Sequence, residues 1–205
     1  MAWQFATSTQ WNSAILGLAM PQFENMTAEH YQVDTDLPIS NFSHCHIGIL
    51  NHLDRLTELL HVMGDADAAK KIAQEALAYF HLGMKAHHQE EELELFPAVR
   101  NSAAPGEERK QVDHLIENLT LEHRAMESAW MAIEPALKDV IKGRTSTLDH
   151  VHFQILINRY KDHASSEEAV FLPLAEKILG RNSNHMAALG LSLHLRHVPH
   201  FPSHI

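Results

Sequence analysis

A histidine stands four residues ahead of a Glu-Glu pair and ten residues ahead of a proline, twice in one chain. The first copy reads His87-His88-Gln89-Glu90-Glu91-Glu92-Leu93-Glu94-Leu95-Phe96-Pro97. The second reads His163-Ala164-Ser165-Ser166-Glu167-Glu168-Ala169-Val170-Phe171-Leu172-Pro173. On an α-helix, positions i and i+4 share a face one turn apart. Each copy therefore aims an imidazole and a carboxylate at one point, and two such helices facing each other make a metal site.

The flanking sequence is helical in period. His46, Ile49, Leu50, Leu53, Leu56 and Leu60 recur at three and four residues, which predicts a first helix from Ser40 to Gly64. Gly64-Asp65 supplies a stop and then an N-cap. A second helix is expected from Asp67 to Arg100, with Leu77, Phe80, Met84, His87, Glu91 and Leu95 on one face, followed by a loop over 101–106. A third carries Val112, Leu115, Leu119, His123, Met126, Trp130 and Ile133, with Pro135 a candidate kink and Gly143 its end. A fourth begins near Thr147 and shows Phe153, Leu156, Tyr160, His163, Glu167, Val170, Leu174 and Ile178. Pro173 is expected to bend it and Gly180 to close it. No strand signal appears. The expectation is an all-α, up-down-up-down four-helix bundle over 39–180. It is flanked by an N-terminal arm (1–38) and a C-terminal tail (181–205), helical through Leu195.

Bulk properties narrow the function classes. With 205 residues, 45% apolar and 20% charged, the chain can bury one sizeable core. A net charge of -10 argues against a nucleic-acid-binding surface, which needs Lys and Arg. The single cysteine, Cys45, excludes an internal disulfide and points to a reducing compartment. No basic stretch precedes an apolar run at the N-terminus, and no apolar run reaches membrane-spanning length, so a soluble cytoplasmic protein is expected, with no membrane partner. Without secretion, the glycosylation patterns at Asn25 and Asn41 are coincidental. Trp3 and Trp11 in the arm want cover, which makes a homodimer contact or a lid the alternative to an arm lying over the bundle. Histidine, with 18 copies, far exceeds ordinary usage.

The two halves also repeat as hairpins. His46 precedes His87 by 41 residues and His123 precedes His163 by 40. Each half is thus a helix with one in-phase His, then a helix with His-x-x-x-Glu and a later Pro. Six side chains converge on the bundle axis: His46, His87, Glu91, His123, His163 and Glu167. Unpartnered in a core, such groups cost several kcal/mol; ligating cations makes them tolerable. Nitrogen and oxygen donors without thiolate suit iron, manganese or zinc, and a mixed His/carboxylate set suits iron best. Four imidazoles and two bridging carboxylates supply roughly eight of about twelve positions around two octahedral metals. A bridging oxide or hydroxide would take two more, leaving roughly one open position per metal for dioxygen, peroxide or nitric oxide.

The strings around His46 (Phe42-Ser43-His44-Cys45-His46-Ile47), His87 (HHQEEELELFP), His123 (LEHRAMESAW) and His163 (YKDHASSEEAVFLP) resemble the hemerythrin-like, or HHE cation-binding, family over roughly residues 40–180. The resemblance implies a four-helix bundle with a non-haem di-iron centre. It carries His46, His87, Glu91, His123, His163 and Glu167 over as ligands. Oxygen-carrying members have His-x-x-x-His on the third helix and His-x-x-x-x-Asp on the fourth. Here His123 is followed by Glu127 and His163 by Glu167, so a fifth His is missing from its usual place. The pattern is closer to the iron- and oxygen-sensing members.

Glu127 is an alternate seventh ligand, and Tyr160 a core residue in position to hydrogen-bond a metal-bound ligand. His88 and Glu92 form a second i,i+4 pair, but Ala164 stands opposite His88 in the repeat, so both are expected at the surface. His44 is out of phase, Cys45 is expected to be a buried small residue, and the tail histidines (His185, His194, His197, His200, His204) to be solvated. The functional expectation is a di-iron protein that binds or senses dioxygen, nitric oxide or iron. The alternatives are a peroxidase-like or nitric-oxide-handling enzyme, and a storage or structural site filled with zinc or manganese.

Overall fold

The computed structural model describes residues 34, 35, 37–144 and 148–197. Most of the expected arm, the start of the fourth helix near Thr147, and His200 and His204 of the tail lie outside the described residues. Those described form helices and turns, with no strand among them. None of their helices is long and apolar enough to cross a membrane.

Four helical rods pack side by side. Rod one is α1 (Pro38–Leu59). Pro38 sits in its first turn, where a missing N–H costs nothing and the fixed φ favours entry. It ends five residues before the expected Gly64, because the His61 N–H bonds back three residues to the Glu58 carbonyl and tightens the last turn (2.9 Å). The carboxylate of Asp65 then accepts from the Asp67 and Ala68 N–H groups (3.1 and 3.0 Å), capping rod two as its sequence suggests.

Rod two runs through α2 (Ala66–Tyr79), a π-helical turn (Phe80–Met84), α3 (Lys85–Glu90), a second π-helical turn (Glu91–Leu95) and α4 (Phe96–Ser102). Rod three is the 35-residue α5 (Glu107–Ile141), which continues through Pro135. Rod four is α6 (His150–Ser166), a π-helical turn (Glu167–Phe171) and α7 (Leu172–Leu179). It is capped by Asp149, whose carboxylate accepts from the Val151 N–H at 2.9 Å. Rod one packs on rods two and four, and rod three does likewise, so the four close into a ring. The tail helix α8 (Ser183–His197) packs on α1, α4 and α7, and buries Leu189 and Leu193.

Two π-helical turns have a covalent cause. Pro97 and Pro173 lack an N–H, and their rings would strike the carbonyl four residues back. One residue earlier, the Phe96 and Leu172 N–H groups reach back five residues, to the carbonyls of Glu91 and Glu167. The expected bend at Pro173 is thus taken up as a widened turn that opens on the ligand-type glutamate itself, and Pro97 does the same.

The apolar core falls into two clusters. One is built around Ile49, Leu53, Met84, Met126, Trp130, Leu156 and Tyr160, the other around Phe42, Leu95, Phe96, Leu119, Phe171 and Leu189. Along rod one the order is Phe42, His46, Ile49; along rod two Met84, His87, Glu91, Leu95. Along rod three it is Leu119, His123, Met126, and along rod four Tyr160, His163, Glu167, Phe171. Every rod passes from one core to the other across a polar layer at the same level.

Tyr79 fixes the approach of rods one and two. Its ring stacks on His52 (centroids 3.5 Å apart). A Cβ at Gly48 would lie 2.7 Å from its hydroxyl oxygen, and one at Gly83 2.8 and 2.9 Å from ring carbons. Flanked by His52, Gly48 and Gly83, the ring leaves little room for an added methyl group. Gly83→Ala is expected to destabilise the fold by about 1–3 kcal/mol in denaturant titration. Gly64→Ala, with nothing within 4 Å of its Cβ, should stay within about 0.5 kcal/mol. Equal midpoints for the two variants would refute this packing.

Candidate metal centre

The polar layer contains seven buried groups that can bind a cation. Exposure is 2% for His46, 3% for His87, 1% for His88 and His163, and zero for Glu91, His123 and Glu167. All six residues singled out by the repeat are therefore brought together. His87 Nε2 lies 3.0 Å from Glu91 Oε1, and His123 Nε2 3.1 Å from Glu91 Oε2. His46 Nε2 and His163 Nε2 lie 3.5 and 3.4 Å from Glu167 Oε2. Each carboxylate thus faces imidazoles from two different rods.

The outer ring nitrogens determine what the inner ones offer. His46 Nδ1–H donates to Glu168 Oε1 (2.8 Å), His123 Nδ1–H to Glu92 Oε1 (2.7 Å) and His163 Nδ1–H to Glu122 Oε2 (2.9 Å). Ser43 Oγ–H donates to the other oxygen of Glu168 at 2.8 Å, and Arg124 holds the other oxygen of Glu92. A neutral imidazole that donates from Nδ1 carries its lone pair on Nε2, aimed into the centre. The duplicated Glu-Glu pair thereby acquires a division of labour. The first glutamate turns inward, and the second, about 100° round the helix, holds the histidine of a neighbouring rod. His87 departs from the pattern: its Nδ1 has no hydrogen-bond partner among the described residues, and half-buried Cys45 is its neighbour on rod one. Cys45 precedes His46 as Glu122 precedes His123, so thiol and carboxylate hold twin positions.

The inner atoms have no satisfactory protein partner. Nε2 of His46, His87, His123 and His163, and both oxygens of Glu91 and Glu167, make no well-directed hydrogen bond among the described residues. The short His–Glu approaches set lone pair against lone pair unless a proton or a cation lies between. Without a cation, protons do this. Burial would lower His87 and His123, but the Glu91 carboxylate holds His87 well above the usual imidazole range, and Glu91 together with Glu92 holds His123 at about 9. Burial would raise Glu91, yet the charges of His87 and His123 keep it well below the carboxylate range. Burial and the Glu91 charge push Glu167 up to about 7, because two carboxylates this close do not both ionise unaided. Burial and the His123 charge lower His163 to about 3. A cation bound to the same donors takes the place of these protons, so the set fits a metal on its own chemistry.

Two groups could each hold an ion: His46, His87, Glu91 and Glu167, and His88, His123 and His163. Glu127 belongs to neither; it pairs with Arg124 Nη1 at 2.7 Å, partly exposed on rod three. Tyr160 is fully buried beside the centre, its ring 5.9 Å from that of His163 and 6.3 Å from that of His46. Burial and the nearby Glu91 and Glu167 charges raise its phenol pKa well above the usual value, so it keeps its proton. His44, out of phase with the apolar stripe of rod one, is exposed. The expected surface placement of His88 and Glu92 is wrong. His88 is buried, and Glu92 turns back onto His123. Both Glu92 and Glu168 were detectable as the repeated second glutamate, whereas Glu122 has no twin of its own type.

Residues 37–175 match the hemerythrin HHE cation binding domain. An uncharacterized protein of Haemophilus influenzae (strain ATCC 51907 / DSM 11121 / KW20 / Rd) is 26% identical over 158 residues, covering 74% of this chain and 88% of that protein. No solved structure matches.

Glu92→Ala and Glu168→Ala should each weaken metal binding about 10–100-fold in chelator-competition titration, because the imidazole they orient is freed. Glu127→Ala should leave affinity unchanged. An equal loss in all three would mean that outer-surface charge, not imidazole orientation, sets affinity.

Proposed function

The chain belongs to the hemerythrin HHE cation-binding family, and we propose that it holds a non-haem di-iron centre that reversibly binds, and so senses, dioxygen or nitric oxide. The centre would sit at mid-height of an up-down-up-down bundle, a topology supported by the alternating order of the two cores along successive rods. One observation carries the reading: eight inward-facing nitrogen and oxygen atoms of His46, His87, Glu91, His123, His163 and Glu167 are buried without protein partners. Their chemistry, imidazole and carboxylate without thiolate, favours iron, with manganese or zinc able to substitute.

His46 and His87 would hold one ion and His123 and His163 the other. Glu91, with one oxygen toward His87 and the other toward His123, is placed to bridge them. Glu167, whose Oε2 lies 3.5 and 3.4 Å from His46 and His163, would serve both ions as well. When bound, the iron pair supplies electrons and open positions for a small diatomic ligand. The chain supplies rigid donors, with three of the four imidazoles locked in one tautomer by outer carboxylates, and a water-poor interior between two apolar cores. Tyr160 contributes a protonated O–H beside the centre. The place of that hydroxyl, buried beside the centre, also favours a second reading, a peroxidase-like activity in which it donates a hydrogen bond to peroxide.

Anaerobic purification, iron quantitation and optical titration with oxygen, nitric oxide and peroxide test the reading. Two irons per chain and a reversible charge-transfer band on adding oxygen or nitric oxide are expected; sustained peroxide consumption with a reductant would favour the enzyme. Glu167→Ala should remove more than half of the bound iron. Full iron content in that variant, or a colourless iron-free wild type, would overturn the assignment.

A further inference from the structure

His88 has no counterpart in the second half of the chain, where Ala164 occupies the twin position. Both residues are buried, at 1% and 3% exposure. Ala164 belongs to the apolar core, whereas the His88 ring lies against those of His123 and His163. Neither ring nitrogen of His88 has a partner among the described residues. A structural core histidine normally uses at least one, since an unmatched buried donor and acceptor both oppose folding. No outer carboxylate holds it either, unlike His46, His123 and His163. One of its nitrogens lies within 4.8 Å of ligand nitrogens of His123 and His163.

We propose that His88 is a fifth imidazole ligand, serving the metal position held by His123 and His163 and making the two positions unequal. The proposal rests on the di-iron reading above and adds to it. One ion then has three imidazoles, the other two, with Glu91 and Glu167 between them. Ligation requires the His88 ring to tilt out of its parallel stack on His123, where the centroids are 4.0 Å apart and the planes 4°. The fifth histidine absent from the third helix is thus supplied by the second, one residue after a histidine already in the set.

The test compares wild type, His88→Leu and His88→Gln, each reconstituted anaerobically with ⁵⁷Fe(II). Melting of the metal-free proteins is followed by circular dichroism; Gln retains a polar side chain should Leu compromise folding. Mössbauer spectra of wild type should resolve two iron components in equal amount. In the variants, one component should be lost or changed while the other keeps its parameters, and affinity for the second iron should fall by at least about 100-fold. Two irons with a wild-type spectrum in a folded variant would overturn the proposal and reduce His88 to a stacked, unligated neighbour. A wild type that takes up no iron would instead overturn the di-iron reading beneath it.

Discussion

Two glutamates and five histidines buried in one layer of an apolar bundle are the constraint on which the rest depends. A carboxylate moved from water into such a layer costs several kcal/mol unless something positive meets it. Protons on His87, His123 and Glu167 meet the need in the absence of a cation, at the expense of raised imidazole pKa values and a carboxyl that holds its proton to about 7. Divalent ions would meet it directly, because the Nε2 lone pairs of His46, His123 and His163 and the oxygens of Glu91 and Glu167 already face the centre. The surrounding structure serves to keep those directions.

Three devices do so. Glu168, Glu92 and Glu122 grip the outer nitrogens of His46, His123 and His163. The π-helical turns that begin at Glu91 and Glu167 are enforced by the prolines six residues on. These widened turns add a residue per turn and re-aim the helix beyond them, so Leu95 and Phe171 return to the apolar core after the polar layer. The two cores above and below keep water away, which strengthens every electrostatic contact between them.

Much of this was legible in the residues. The repeated His-x-x-x-Glu-Glu, the in-phase His46 and His123, and the Asp65 cap come straight from helical geometry, and all fall where that geometry places them. The features that escaped it have a physical reason. His88 and Glu92 look like surface residues on an ideal helix, where one stripe faces the core. In rod two, π-helical turns at Phe80–Met84 and Glu91–Leu95 shift the phase on either side of α3, so His87 and His88 both turn inward. Glu122 and Cys45 hold the same place in the repeat, one residue before His123 and His46, but differ in type, so the repeat does not single out Glu122. The tail helix covers the bundle through Leu189 and Leu193, contacts that its weak periodicity did not announce.

Crystals grown from anaerobically purified protein, with diffraction recorded on both sides of the iron absorption edge, address the central claim directly. The account predicts two anomalous peaks in the polar layer, one within coordinating reach of His46 and His87, the other of His123 and His163, with Glu91 and Glu167 between. A layer without anomalous signal, its histidines and glutamates paired only with one another, would contradict it.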